Sequence, residues 1–189
     1  MNSIARSGVD QNGAFARLAR ASEGFTVIEL LLVIALLVTL AAIAWPRLTQ
    51  ARLSANEAAT IAAMRTVVEA QATFAASCGA GGYAPRLEDL GYQMPGQPGF
   101  IPQDLTGGTK SGYAFTLSPR ADANVIGEVA PSCGTASVET VDAYHLTAVP
   151  ISTGSGRRSF ATDHRGTIYQ SLAGEAIPNP IPSEVEPVG

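Results

Sequence analysis

The sequence contains few of the side-chain groupings from which catalytic, metal and cofactor sites are built. Its two histidines, His145 and His164, have no cysteine or carboxylate at metal-ligand spacing. Residues 79–82 lack the Lys-Ser/Thr pair of a phosphate-binding loop. Gly154-Ser155-Gly156 is not a nucleophile elbow, because that motif has a glycine two places from the serine on each side. No Asp-rich calcium loop is evident. We therefore expect no enzyme, no metal site and no cofactor.

Charged residues are also scarce, at 15% of the chain, and the formal net charge is −4. A protein that binds nucleic acid through phosphate contacts needs a surplus of lysine and arginine, which this chain does not have. We therefore expect no specific nucleic-acid partner. The length of 189 residues leaves room for one small globular domain beside an apolar segment.

The dominant feature is an apolar run from Phe25 to Trp45. Its 21 residues include only three polar ones, Thr26, Glu29 and Thr39, and neither glycine nor proline interrupts it. An α-helix of this length, with a rise of about 1.5 Å per residue, matches a hydrocarbon core about 30 Å thick. Glu29 is unusual in this run, because a carboxylate in such surroundings costs about 3 kcal/mol or more and usually has a partner.

The arginines that precede the run indicate its orientation. Arg6, Arg17 and Arg20 lie before it, and no arginine lies inside it. By the positive-inside bias, the N-terminal segment stays in the cytoplasm and the residues after the run lie outside. The chain is thus expected in an inner membrane as a single-pass protein.

The stretch Gly24-Phe25-Thr26-Val27-Ile28-Glu29-Leu30 resembles the class III signal peptide of type IV prepilins and of the pseudopilins of type II secretion. The resemblance covers residues 17 to about 78. It includes the glycine, the phenylalanine after it, the glutamate at the fifth position from Phe25, the long apolar run and a proline soon afterwards, Pro46. A plain single-pass anchor is the alternative, but it does not account for Glu29.

The resemblance implies that residues 1–24 are a leader, which a prepilin peptidase removes after Gly24. The same enzyme, as an N-methyltransferase, would methylate the new amine of Phe25. The resemblance further implies that Glu29 of an entering subunit meets this amine on the preceding subunit, so that copies of the chain form a helical filament. The alternative is that Glu29 pairs with Thr26 or with its own amine and has no role in assembly.

Helical patterning resumes after Pro46, so we expect a kinked helix that continues to about Ser77, where a cysteine and several glycines follow. Pro46 would also suit a filament in which the helix unwinds locally. We divide the helix into an assembly segment, 25–45, and an amphipathic half, 46–78. The apolar stripe is predicted at Leu48, Leu53, Ile61, Met64, Val68 and Ala72, and the polar faces at Arg52, Asn56, Glu57, Arg65, Glu69 and Gln71.

Residues 79–189 are predicted to form a head with an antiparallel β-sheet. A short helix is expected within 83–91, mostly loop over 91–112, and a proline-rich, extended or loose tail at 177–182. The expected strands are Tyr113–Leu117, Val125–Val129, Ala143–Ile151, Arg158–Thr162 and Thr167–Ser171, with a hairpin turn at 163–166. One face of this meander would pack on the apolar stripe of the helix. The predicted fold class is α+β, the lollipop architecture of pilins.

The two cysteines, Cys78 and Cys133, both follow the apolar run and so lie in the part expected outside the cytoplasm. An even pair in that compartment predicts a disulfide, with two buried free thiols as the alternative. The bond would close a loop of 54 intervening residues. A loop of that size stabilises by about 4 kcal/mol at most in the chain-entropy account.

The resemblance favours a structural subunit of a type IV pilus-like filament. The alternatives are a type II secretion pseudopilin and a minor or tip pilin whose head binds a ligand; a membrane-anchored enzyme belongs to a different class and lacks any catalytic motif. Minor subunits often lack the glutamate that is present here as Glu29. The implied partners are the prepilin peptidase, other copies of the chain and the pilus or secretion assembly platform. The assembled form would be an extracellular pilus or a periplasmic pseudopilus.

Overall fold

A computed structural model describes residues 24–91, 98–128 and 139–188 of the chain. The helices in these ranges are α1 (Val27–Ser77), α2 (Leu87–Gly91) and α3 (Gln103–Thr106). The strands are β1 (Thr109–Lys110), β2 (Tyr113–Pro119), β3 (Val125–Glu128), β4 (Glu139–Val141), β5 (Tyr144–Pro150), β6 (Ser159–Asp163), β7 (Ile168–Ser171) and β8 (Glu186–Pro187). The contacts divide the chain into two units, Met1–Ala44 and Trp45–Gly189.

Helix α1 is 51 residues long and continues through Pro46, as the renewed helical pattern predicted. It begins after Thr26, whose hydroxyl accepts the N–H of Glu29 at 3.2 Å and whose carbonyl accepts the N–H of Leu30. At its other end the N–H groups of Cys78 and Gly79 both donate to the Phe74 carbonyl. The chain then reverses through left-handed backbone at residues 80 and 81, and so satisfies the last carbonyls of the helix.

The main sheet has six antiparallel strands in the order β1-β2-β5-β6-β7-β8. This sheet and the long N-terminal helix confirm the α+β class. The predicted hairpin turn joins β6 to β7, where the Gly166 N–H donates to the Asp163 carbonyl and the glycine has a φ of +77°.

The prediction of a single meander was wrong for residues 125–128, while Val129, the last residue of the predicted strand, lies outside the described residues. Strand β3 pairs with β4 in a separate two-stranded sheet, so that β2 lies directly against β5. The Asp142 carboxylate holds the base of this small hairpin by accepting both the backbone N–H and the side-chain amide of Asn124. Strands β1, β4 and β8 were not predicted, because two or three residues carry too little alternation of polarity to reveal a strand.

One hydrophobic core joins the second half of α1 to the main sheet. The buried positions of α1 recur every three or four residues, at Glu57, Thr60, Ala63, Met64, Val67, Ala70, Gln71 and Phe74. They share the core with β-sheet residues such as Tyr113, Leu146 and Phe160. The T-shaped contact of Phe74 with Phe100 adds the loop before α3 to this core.

The predicted apolar stripe of α1 was therefore largely wrong. Of its six members only Met64 is buried, whereas Leu48 and Ala72 are exposed. Two polar residues assigned to the outer faces, Glu57 and Gln71, are buried instead. The reason is that each has hydrogen-bond partners in distant loops, which offset the cost of burying a polar side chain.

Candidate functional site

The first unit, as far as the structure describes it, is an apolar helical segment with no cover. Every residue from 24 to 52 is exposed, and Phe25 is 79% exposed. An 18-residue window of α1 has a mean hydropathy of 2.9 and none of it is buried. By length and composition this helix can cross a membrane. Leaving such a surface in water costs roughly 25 cal/mol per Å² of apolar area.

The predicted processing and assembly residues lie at the start of this segment. Gly24 and Phe25 precede the helix, are exposed, and are directly followed by the Thr26 cap. Glu29 stands three residues after the capping threonine, which is the spacing of a capping box. Its carboxylate is exposed and makes no hydrogen bond or ion pair within the described part of the chain. A negative charge in the first turn also suits the helix dipole.

The polar side chains on either side of the proline are satisfied inside the helix. Thr39 donates its hydroxyl to the Leu36 carbonyl at 2.7 Å, and Thr49 donates to the Pro46 carbonyl at 2.9 Å. Glu29 is the one ionisable side chain between Phe25 and Trp45. A lone carboxylate in a span that is otherwise internally satisfied is the feature for which the sequence predicted a partner.

Cys78 lies at the end of α1, is 6% exposed and is disulfide-bonded. Cys133 lies outside the described residues, so the Cys78–Cys133 pairing stays a prediction.

A charged cluster that sequence reasoning missed attaches α1 to the loop before β6. The first carboxylate oxygen of Glu57 accepts the backbone N–H groups of Arg157 and Arg158, at 3.0 and 3.3 Å. The second accepts the Nε–H of Arg158 at 2.8 Å, and Nη2 of the same guanidinium lies 2.7 Å from this oxygen in an ion pair. Arg158 also donates to Gln170 at 2.7 Å. Because Tyr113 occupies the space where a side chain at Gly156 would stand, only glycine lets this loop approach so closely.

The electrostatics of this cluster favour the ionised carboxylate. Burial alone raises the pKa of Glu57, but the N–H groups of Arg157 and Arg158 and the Arg158 guanidinium outweigh it and lower the pKa below its usual value. Hydrogen bonds to an ionised carboxylate are stronger than those between neutral groups, so a partly buried pair of this kind is strong. No local sequence pattern predicts this cluster, because the partners are about a hundred residues apart.

Two amide side chains complete the attachment of α1 to the rest of its unit. Gln71 donates to the Ala84 carbonyl and accepts the Ala84 N–H, at 2.8 and 2.9 Å, so that it pairs with the chain as a neighbouring strand would. Asn56 donates to the Ser155 carbonyl at 3.0 Å. Together with Glu57 these residues orient the helix against the loops of the second unit.

Within the described residues, neither histidine joins other side chains in a metal site. His145 on β5 is buried, its Nε2 has no partner within the described ranges, and it lies opposite Asp163 of β6. Burial lowers the pKa of His145, although Asp163 and a hydrogen bond to the Pro178 backbone act against this. Across residues 24–91, 98–128 and 139–188, no group of three or more His, Cys, Asp or Glu side chains is arranged to hold a metal ion.

No protein-family model, curated protein or solved structure matches this chain. The features of the chain that indicate a function are therefore the motif at residues 24–30 and the helix that follows it.

Proposed function

We propose that this chain is the structural subunit of a type IV pilus-like filament. It is made as a precursor with a leader, is processed by a prepilin peptidase and polymerises through its N-terminal helix. The observation that carries the proposal is the motif at residues 24–30, which stands directly at the start of an apolar helical segment whose residues are exposed as far as residue 52. The inner membrane covers this helix before assembly, and the helices of other copies cover it afterwards.

Glu29 supplies the register of assembly in this proposal. Cleavage after Gly24 creates a cationic amine at Phe25, and the Glu29 carboxylate has no partner of its own among the described residues. In an apolar filament core, each of these charges is costly alone, and the pair offsets much of that cost. Because the amine of one copy meets the carboxylate of the next, the contact repeats without closing and builds a helical filament.

Processing tests the proposal most directly. Co-expression with a prepilin peptidase should yield a product that begins at a methylated Phe25, as measured by intact-mass analysis. The Gly24→Val variant should remain as the full-length precursor in the membrane, because the peptidase requires the small residue. A Cβ at Gly24 meets no atom within 4 Å, so the substitution does not disturb the fold.

Gly107→Val is the matched control for this experiment. Gly107 also has open space around its Cβ position and an ordinary φ of −71°, so this variant should be processed as the wild type is. A mature terminus at any residue other than Phe25, or normal processing of Gly24→Val, would contradict the proposal.

A further inference from the structure

The segment that follows the apolar helix carries a charge opposite to that of the rest of the exported chain. Between Glu29 and Glu57 the sequence has no acidic residue, but it has two arginines, Arg47 and Arg52. From residue 57 to the C-terminus there are seven basic and thirteen acidic residues, a net charge of −6. The positive charge is therefore concentrated beside the apolar run, and the remainder of the chain is acidic.

These two arginines are not used by the fold. Every residue from 45 to 52 is exposed, and neither arginine makes a hydrogen bond or ion pair within the described ranges. The first carboxylate that follows these arginines along the helix, Glu57, already pairs with Arg158. Five residues separate the arginines, which turns them by about 140° around the helix axis. They therefore point to different sides and form a collar around the helix.

Trp45 marks the level of this collar. It is the single tryptophan of the chain, is 73% exposed and immediately precedes Pro46. Tryptophan is enriched where the hydrocarbon core of a membrane meets the headgroups, because its ring is apolar and its N–H is polar. Eighteen residues from Val27 to Ala44 correspond to about 27 Å of helix, close to the thickness of the hydrocarbon core.

We propose that Trp45, Arg47 and Arg52, the interfacial collar, bind the phosphate groups of anionic phospholipids in the outer leaflet of the membrane. This inference rests on the proposed function, since it requires the apolar helix to be in a bilayer. Arg47 would lie about 3 Å and Arg52 about 10 Å beyond Trp45 along the helix, which spans the depth of the headgroup region. Arginine suits this role because its guanidinium pairs with phosphate in a bidentate way. The collar holds the subunit at one depth, while the acidic remainder of the chain is repelled from the anionic surface.

The sole tryptophan allows a direct test with the full chain in vesicles, at a protein-to-lipid ratio low enough to keep the chains apart. Trp45 fluorescence is measured in phosphatidylcholine that contains brominated phosphatidylglycerol, and in the reverse mixture with brominated phosphatidylcholine at the same mole fraction. Bromine quenches over a short range, so the signal reports lipids at Trp45. We expect preferential quenching by the anionic lipid, with a relative affinity of about fivefold for each arginine.

Variants show whether the lipid preference comes from Arg47 and Arg52 or from the charge of the chain as a whole. Arg47→Gln/Arg52→Gln should bring the preference close to one. Arg47→Lys/Arg52→Lys should retain only part of it, because the charge remains but the bidentate contact of the guanidinium is lost. Arg65→Gln is the matched control, because Arg65 is an exposed arginine on the same helix but about 30 Å beyond Trp45. The preference should fall as sodium chloride is raised, because salt screens exposed charges.

Each outcome decides between the two proposals. Equal quenching by both lipids, or a preference that survives the double glutamine variant, overturns the lipid inference alone. Loss of the preference at micromolar inorganic phosphate, which is too dilute to screen charges, would show a site for free anions and not for a membrane surface, and would also overturn it. If neither brominated lipid quenches Trp45, the helix is not in the bilayer, and the proposed function fails with the inference.

Discussion

At the scale of single residues, Glu57 has the most demanding environment among the described side chains. It is 7% exposed and accepts hydrogen bonds from two backbone N–H groups and from the Arg158 guanidinium. Removal of one partner leaves the other charge in a site from which water is largely excluded, and this costs more than the pair itself contributes. The contacts of Glu57 with Arg157 and Arg158, which we call the clasp, therefore hold α1 against the loop before β6.

Glu57→Gln should lower the free energy of unfolding of a fragment that begins at Arg47 by about 2–3 kcal/mol. This is less than the roughly 3–5 kcal/mol typical of fully buried pairs, because Arg158 is one-third exposed. Glu69→Gln, at an exposed position of the same helix, is the control and should change it by less than about 0.5 kcal/mol. Urea titration measures both. Equal effects of the two substitutions would contradict the clasp.

The same cluster sets a pH dependence. Because the pKa of Glu57 is lower in the folded chain than its ordinary value of 4.5, the folded state binds fewer protons, and the stability that the carboxylate contributes is present above pH 4.5. That contribution is lost as the pH falls below 4.5, and in Glu57→Gln this part of the acid dependence should disappear.

At the scale of elements, a buried histidine lies on β5 where this strand pairs with β6. The C-terminal segment 177–182 contacts this histidine. His145 is 4% exposed, faces Asp163 across the two strands and bonds to the backbone of Pro178. Asn179 fastens the same segment by donating to the Pro119 carbonyl and accepting the Ala121 N–H. The prediction that residues 177–182 are extended or loose therefore missed these contacts, which come from strand β2 and the residues after it.

Protonation of His145 should weaken this packing. Burial lowers the pKa of His145 below 6.5, so the unfolded chain takes up the proton first and stability falls as the pH drops below about 6.5. Thermal unfolding of the wild type between pH 7 and pH 5 should show this decrease. His145→Gln should lack it, while His164→Gln, in the turn after β6, should retain it. An identical pH profile for the wild type and His145→Gln would count against the assignment.

At the scale of the whole molecule, the chain combines a helix segment that is exposed throughout with a unit that has its own core. The first cannot be stable alone in water, and the second does not depend on it for any described core contact. Folding of the second unit and assembly through the first should therefore be separable by mutation.

Glu29→Ala should show this separation. It removes the carboxylate that we propose pairs with the Phe25 amine of a neighbouring subunit, so filaments should be lost or much reduced when the variant is the only subunit. The variant should still insert into the membrane, and the fragment from Arg47 should melt unchanged. Electron microscopy of sheared filaments is the measurement, with Thr39→Ala as a control in the same span. Normal filaments at normal yield from Glu29→Ala would refute the pairing.

Local signals in the sequence determined much of the fold. A long alanine- and leucine-rich run without glycine favours a helix, and the bounds of α1 were predicted to within two residues. Each of the five predicted strand stretches contains a strand, and the Asp163–Gly166 turn follows from the need of a left-handed residue at the hairpin. The motif at residues 24–30 is equally local, and so its position at the start of the helix was readable from the sequence.

Only the tertiary structure decided which side chains of those elements are buried and which strands pair with each other. The buried face of α1 includes Glu57 and Gln71, whose partners lie at residues 157–158 and 84, and no count of polarity along the helix reveals them. Likewise β2 pairs with β5 because β3 and β4 close on each other between them. The reason is physical: local propensity depends on a residue and its neighbours in sequence, whereas the free energy of burying a polar group depends on the partners that it finds in space.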